Sequence, residues 1–342
     1  MSKVAIVILN WNGEKLLEEF LPQVIENTNY PDSSIWVADN RSSDNSVAFV
    51  KKNFPDVRIL ELDENYGYAG GYNRAIAEIE CEYAVLLNSD AAPAENWISP
   101  VIELMDSDKD IVACAPKLKD YKNKSYFEYA GAAGGFIDKY GYVFCRGRIF
   151  SHVEKDEGQY DAVSEVFWGT GAALFIRRNT YLDAGGLDED FFAHMEEIDL
   201  CWRFKNQGKK IMYHPDSVVY HLGGATLNKT NPQKTYLNFR NNLLMMYKNL
   251  SEENLSSVLR NRILLDYLAA LVMLLKFKFG DFKAVFRAHC DYRKMIKKSF
   301  NAKRIVEQGK VIKPSQKEII MKGIVLLHFW GRVKRFYEIE SV

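Results

Sequence analysis

Three near-continuous apolar runs within the first ninety residues limit what this chain can fold into. They are VAIVIL at 4–9, IWVAD at 35–39 and YAVLLN at 83–88. Residues 13–26 lie between the first two, with Leu16, Leu17, Phe20, Leu21 and Val24 on one helical face. A second helix is predicted near 44–53 and a third strand at 57–62. A glycine-containing turn at 67–71 then leads into a helix around 75–79. Apolar strands alternating with helices imply a parallel sheet covered on both faces. Ligands of such sheets bind beyond the carboxyl ends of the strands. The polar residues at those ends are Asn10-Trp11-Asn12, Asp39-Asn40 and Asn88-Ser89-Asp90. Asn, Asp and Ser also favour loops and caps for local reasons, so one such cluster says little. Three on one edge mark a binding edge.

A chain of 342 residues suits one large domain or two ordinary ones, and its 47% hydrophobic content is enough for a sizeable core. The formal net charge of zero conceals an asymmetry. Residues 234–342 hold 22 Lys+Arg against 9 Asp+Glu, and residues 1–233 hold 23 against 36. The acidic part excludes a general nucleic-acid binder, whereas the basic part suits anionic lipid or another polyanion. The five cysteines (81, 114, 145, 201 and 290) are odd in number, scattered and free of any C-x-x-C pair. This argues against a zinc site or a disulfide framework and favours a reducing compartment. The apolar run at 4–9 is too short for a signal-peptide core, and 263–275, interrupted by Asp266, is too short to span a bilayer.

Residues 120–165 read as a hairpin or loop insertion, and a compact polar region follows at 167–226. There Glu196 and Glu197 stand at a predicted helix start, with Asp199 and Arg203 spaced i,i+4 to pair. Adjacent acids at a helix start are explained equally well by the helix dipole. Gly70 and Gly71 precede a helix, so they either shape a turn or let backbone N–H groups approach phosphates. No G-x-G-x-x-G is present, so a dinucleotide fingerprint is absent. Trp168, Gly169 and Thr170 either wall a sugar or acceptor pocket or form a buried tryptophan with a tight turn.

The ordered set VAIVILNWNG, VADNRSSDNS (37–46), NYGYAGGYNRAI (65–76), LLNSDAAP (86–93), GGLDEDFF (185–192), EEIDLCWR (196–203) and His221 resembles the inverting nucleotide-sugar glycosyltransferases of family 2. Within them it is most similar to rhamnosyltransferase-type members of polysaccharide and O-antigen assembly. The resemblance covers roughly residues 3–245. It implies a GT-A fold, an α/β architecture with a mostly parallel sheet flanked by helices. It also implies that Asn10, Asn12 and Asp39 contact the nucleoside, and that Asn88-Ser89-Asp90 stands at the family's D-x-D metal motif. By the same resemblance Asp90 and His221 hold a divalent cation, Mn²⁺ or Mg²⁺, and Glu197 is the catalytic base with Glu196 as competitor. Two departures stand out: Asn88 replaces the first acid of D-x-D, and Glu197 stands where Asp is common.

These roles agree with the chemistry. In-line displacement at an anomeric carbon needs a base for the acceptor hydroxyl. The departing diphosphate is stabilised by a Lewis acid. Mixed O/N ligation suits Mn²⁺ better than Mg²⁺.

The expected organisation is a catalytic domain at 1–233 and a basic helical region at 234–342. Arg240-Asn241 is expected to help close over the donor. The segment 259–286 mixes apolar and basic residues, which suits an interfacial helix on an anionic membrane surface, or else packing inside the protein or in a homodimer. The implied partners are a nucleotide-diphosphate sugar and a lipid-linked or polysaccharide acceptor, with no nucleic acid. The implied location is the cytoplasm or the inner face of the plasma membrane. A UDP-hexose or N-acetylhexosamine donor is an alternative, and a non-catalytic nucleotide-sugar-binding subunit is an alternative of another class.

Overall fold

The computed structural model describes residues 2–223, 231–312, 323–329, 331 and 333–340. The first half alternates as expected: β1 (Ser2–Asn10), α1 (Glu14–Asn27), β2 (Ser33–Asp39), α2 (Ser46–Asn53), β3 (Arg58–Glu61), α3 (Gly67–Glu78) and β4 (Cys81–Asn88). After β5 (Ala91–Pro93), α4 (Ser99–Ser107) and β6 (Ile111–Asp120) come four short strands, β7 (Gly135–Ile137), β8 (Val143–Cys145), β9 (Arg148–Ile149) and β10 (His152–Val153). These four form a small antiparallel sheet of their own, the insertion expected at 120–165. The chain then adds β11 (Ser164–Glu165), β12 (Ala173–Arg177), α5 (Arg178–Asp183), α6 (Glu196–Asn206) and β13 (Lys210–His221).

The main sheet runs β11-β13-β6-β12-β4-β1-β2-β3, with β5 paired to β13. Strands β1, β2, β3 and β4 are mutually parallel. Strand β12 is antiparallel to both β4 and β6, and β13 is parallel to β6. It follows that β6 and β13 point the same way as β4. The carboxyl ends of β1, β2, β4 and β13, which are Asn10, Asp39, Asn88 and His221, therefore share one edge with the start of β12.

Alternation along β1 explains why both faces are covered. Val4, Ile6 and Ile8 enter one buried cluster with α1 and α4, while Ala5 and Val7 enter another with α3 and α6. Burying one such branched side chain contributes roughly 1.5–3 kcal/mol, and a one-residue slip would exchange the two faces.

Four long helices follow: α7 (Pro232–Asn249), α8 (Glu252–Leu275), α9 (Phe279–Met295) and α10 (Asn301–Gly309). The division expected at residue 233 is one of charge and not of core. Leu243, Leu244, Met245 and Met246 of α7 are fully buried in the same cluster as Ala5 and Val7. Part of the basic region, including 313–322, lies outside the described residues.

Candidate active site

At the ends of β1 and β2, Asn10 and Asp39 are register partners. Asn10 Nδ2 donates to Asp39 Oδ1 at 2.9 Å, and also to the hydroxyls of Ser42 and Ser46. Asp39 further accepts from the Ser42 hydroxyl at 2.6 Å and the Ser42 N–H at 2.9 Å. Asn12, in the left-handed region at φ 51°, accepts from the N–H groups of Ser43 and Asp44. Asn10 Oδ1 is buried without a partner, and the ring of Trp11 between the two asparagines is 56% exposed. The turn after β1 and the turn after β2 thus form one polar unit beside an open aromatic ring.

The second group gathers across the sheet. Antiparallel pairing sets His221 opposite Ala91, next to Asp90. His221 Nε2 lies 3.0 Å from Asp90 Oδ1 and 3.3 Å from Asn88 Nδ2, and Nδ1 lies 3.4 Å from Glu128 Oε1. Burial alone would lower the imidazole, but the hydrogen bonds of Asp90 and Glu128 push it up to about 10. Burial alone would raise Asp90, yet the His221 hydrogen bond holds it below the ordinary carboxylate range. Ser89 lies between Asn88 and Asp90 with no side-chain bond to this group. Among the described residues no set of three His, Cys, Asp or Glu side chains converges to hold a metal. Asp90 and His221 nevertheless fit a divalent cation that draws its remaining ligands from a bound diphosphate. They supply one oxygen and one nitrogen donor, and a carboxylate behind the imidazole orients the ring.

The third group is the acidic pair. Residues Phe192, His194 and Met195 all adopt positive φ (67°, 71° and 76°) immediately before α6. Such strain costs of order 1–3 kcal/mol per residue and persists only when the surroundings impose it. Here the surroundings are Asn241 and Arg240 of α7. Asn241 Nδ2 donates to the carbonyls of Phe191, Ala193 and His194, each at 2.8 Å. Arg240 donates to the carbonyls of Asp190 and Phe191. Asp199 and Arg203 form the i,i+4 pair expected, and Lys248 and Asn249 complete it from α7.

Glu196 is buried, and burial together with the neighbouring Glu197 charge lifts its carboxyl far above the ordinary range. Glu197 is half-buried, with Oε2 unpartnered. Burial pushes it up to about 7, against the opposing pull of the N–H groups of Glu197, Ile198 and Gly171. Of the two acids, Glu197 is therefore the one that ionises near neutral pH. Gly171 also accepts from Tyr68 Oη at 2.8 Å, and the N–H of Asn88 donates to the next carbonyl, Ala172, at 3.0 Å. A stretch of two residues, Gly171-Ala172, thus joins Tyr68 of α3 to the backbone at Asn88. A side chain at position 171 would collide with the Tyr68 hydroxyl.

For several residues the structure gives the local setting that the sequence left open. Gly70 and Gly71 lie inside α3, where residues past the first turn commit their N–H groups to the helix. The absence of a side chain at 71 serves packing, since a Cβ there would come within 2.6 Å of Leu9. Trp168 is buried against Gly135 and donates to the Phe136 carbonyl at 3.0 Å. Gly169 packs on Leu174 and Ala115, and Thr170 is buried, with its methyl beside Gly131. All three are buried. Arg240 donates to Asn241 and Tyr236 of its own helix and to the carbonyls of Asp190 and Phe191 in the loop before α6. Two residues of the site escaped the sequence reading: Tyr68, which sits in the NYGYAGGYN motif, and Glu128, which carries no local signal. Asn241, expected with Arg240 to help close over the donor, instead holds the loop before α6. Beside the Glu128–His221 contact, a cleft of about 470 Å³ is lined by Asp120, Tyr126, Tyr129 and Lys234 among others.

Residues 5–161 match the family model described as glycosyl transferase family 2. The N-acetylglucosaminyl-diphospho-decaprenol L-rhamnosyltransferase of Mycobacterium tuberculosis is 25% identical over 231 residues, spanning 63% of this chain and 75% of that relative. Among solved structures, S. aureus TarS 1-349 in complex with UDP-GlcNAc superposes with a TM-score of 0.58 at 14% identity, covering 98% of this chain and 93% of that one. The mannosyltransferase PcManGT from Pyrobaculum calidifontis, in complex with GDP-Man and Mn²⁺, gives a TM-score of 0.53 at 14% identity over 97% of this chain and 88% of its own.

Proposed function

We propose that this chain is a family 2 glycosyltransferase that moves a deoxyhexose from a nucleoside diphosphate to an acceptor hydroxyl, with inversion, in surface polysaccharide or O-antigen assembly. What supports this reading is the acid pair at the start of α6, whose Glu197 carboxyl burial raises to about 7, together with the Asp90–His221 pair at the carboxyl edge of the sheet. An inverting transfer needs both functions.

In this mechanism Asp39, fixed by Asn10 and Ser42, meets the nucleoside, and the Trp11 ring offers its face to the base. Asp90 and His221 would hold a divalent cation, Mn²⁺ or Mg²⁺, which supplies charge stabilisation for the departing diphosphate. To hold that cation through Nε2, His221 would give up the proton there, with the Glu128 carboxylate 3.4 Å from Nδ1 to orient the ring. Glu197 takes the proton of the acceptor hydroxyl as that oxygen attacks the anomeric carbon from the face opposite the diphosphate. Glu196, held neutral by its burial, leaves the single negative charge of the pair on Glu197. The cleft at Tyr126 and Tyr129 takes the acceptor, a lipid-linked or polymeric glycan.

The relative from Mycobacterium tuberculosis is named for a rhamnosyl donor and a lipid-diphosphate acceptor, and this likeness supports a deoxyhexose nucleotide such as dTDP-rhamnose. The test is a panel of nucleotide sugars scored by thermal shift with Mn²⁺, followed by transfer to a lipid-linked N-acetylglucosamine. Binding of the folded state at ~100 times the dissociation constant adds roughly 2.7 kcal/mol, a readily measured shift. A response to UDP-N-acetylhexosamine alone would move the donor to the other class. Binding of a nucleotide sugar without transfer or hydrolysis would indicate a non-catalytic subunit.

A further inference from the structure

Helix α8 is built inside out. Its buried side chains include Arg262 and Asp266, which pair at 2.7 Å, and His289 of α9 lies 3.2 Å from the same carboxylate. Its exposed stripe begins polar, with Glu253, Ser256, Ser257 and Arg260, and turns entirely apolar halfway along. Leu264, Leu268, Leu271, Val272 and Leu275 are 60%, 51%, 49%, 48% and 70% exposed. Their spacing of three and four residues puts them on one face. Beyond the helix end, Phe277 and Phe279 stand 80% and 54% exposed, their rings 6.2 Å apart. A soluble monomer rarely leaves a contiguous patch of this kind open.

Cations surround the patch. Residues 276–298 hold eight Lys or Arg and two Asp, and all eight basic side chains are exposed. Lys276 and Lys278 interleave with Phe277 and Phe279 at the tip, and Lys283 follows on α9. Among the described residues no helix is long and apolar enough to cross a membrane. Long basic side chains beside leucine and phenylalanine can lay their stems on an apolar layer while their charges stay in water. A second copy of the chain on the same face would oppose two cationic rims, whereas an anionic surface neutralises one.

We propose that the C-terminal half of α8 and the 276–279 turn dock on an anionic lipid surface, inserting the leucine stripe and the two phenylalanines at headgroup depth. This docking does not depend on the identity of the sugar donor or on catalysis. It fits a chain that meets its acceptor at a membrane.

The experiment is flotation of the full chain with vesicles of phosphatidylcholine alone, or of phosphatidylcholine mixed with phosphatidylglycerol, at low and high salt. Sedimentation velocity of the same samples without lipid accompanies it. The wild type should float with the anionic vesicles, weakly with the neutral ones, and less at high salt. Reversing Lys276, Lys278 and Lys283 to Glu should weaken anionic binding by more than about tenfold, since each cation near such a surface contributes ~1 kcal/mol. Replacing Leu268, Leu271 and Leu275 by Ser should abolish flotation while the thermal transition and nucleotide binding persist. Flotation of the serine variant equal to wild type overturns the proposal, as does absence of wild-type flotation at low salt. A wild-type dimer that the serine substitutions dissociate also overturns it and assigns the face to self-association.

Discussion

Asn241 donates to the carbonyl of His194 at 2.8 Å, and the same amide serves Phe191 and Ala193. One fully buried side chain of α7 therefore holds the left-handed turn that delivers Glu196 and Glu197 to the site. Asn241→Ala leaves those carbonyls without their donor, at a cost of about 1–3 kcal/mol. The expected outcome is a lower thermal midpoint, a fall in kcat and little change in donor affinity. An unchanged kcat in a destabilised variant would reduce Asn241 to a packing residue.

Glu197→Gln keeps size and hydrogen bonding but removes the base. Turnover should drop about 10²–10⁴-fold, with the donor dissociation constant near wild type. Glu196→Gln should cost much less, because burial and the neighbouring Glu197 charge favour the protonated form of that carboxyl. Single-turnover rates on both variants decide the assignment. A dead Glu196→Gln beside an active Glu197→Gln would exchange the two roles.

The same group predicts two pH effects. Burial first, opposed by backbone N–H groups, leaves Glu197 at about 7, so wild-type kcat should fall as pH drops through 7. Stability has the opposite sign. A carboxyl raised in the folded state binds its proton more tightly there than in the unfolded chain. Stability is then full below the unfolded value and declines as pH rises towards 7. Glu197→Gln should therefore gain more thermal stability over wild type at pH 8 than at pH 5. Melting curves at both pH values check this, and an equal gain at the two would remove Glu197 as the titrating group.

Asp90→Ala should abolish the enhancement of nucleoside-diphosphate binding by Mn²⁺, read by titration calorimetry with and without chelator. Glu128→Gln should weaken it about 10–100-fold by loosening the His221 ring. Equal Mn²⁺ enhancement in wild type and Asp90→Ala would exclude Asp90 as a ligand.

Asp39→Ala should weaken free nucleoside diphosphate and intact donor by the same factor, about 10–100-fold. A change confined to sugar selectivity would place Asp39 at the sugar instead.

The sheet and its binding edge were legible because apolar runs with intervening helical periods admit few arrangements, and the pairing of Asn10 with Asp39 follows from that parallel order. Asp90 and His221 were legible through motif order. What the sequence could not show was the traffic between distant segments. Glu128 lies in an irregular insertion, and Asn241 reaches back 47 residues to His194. Trp168 was left with two readings because residue type announces chemistry more loudly than burial does. A tryptophan beside two glycines suits a pocket wall or a buried turn equally until Gly135 is seen against its ring.

The last residue of β13 has a consequence for how the enzyme matures on the ribosome. Asp90 waits 131 positions for His221, and the two meet only when β13 has paired with β5. A nascent chain that has emerged only through β4 already contains both Asn10 and Asp39, whereas Glu197 and His221 are still unmade. On the proposed roles, synthesis therefore supplies the residues of recognition before those of reactivity.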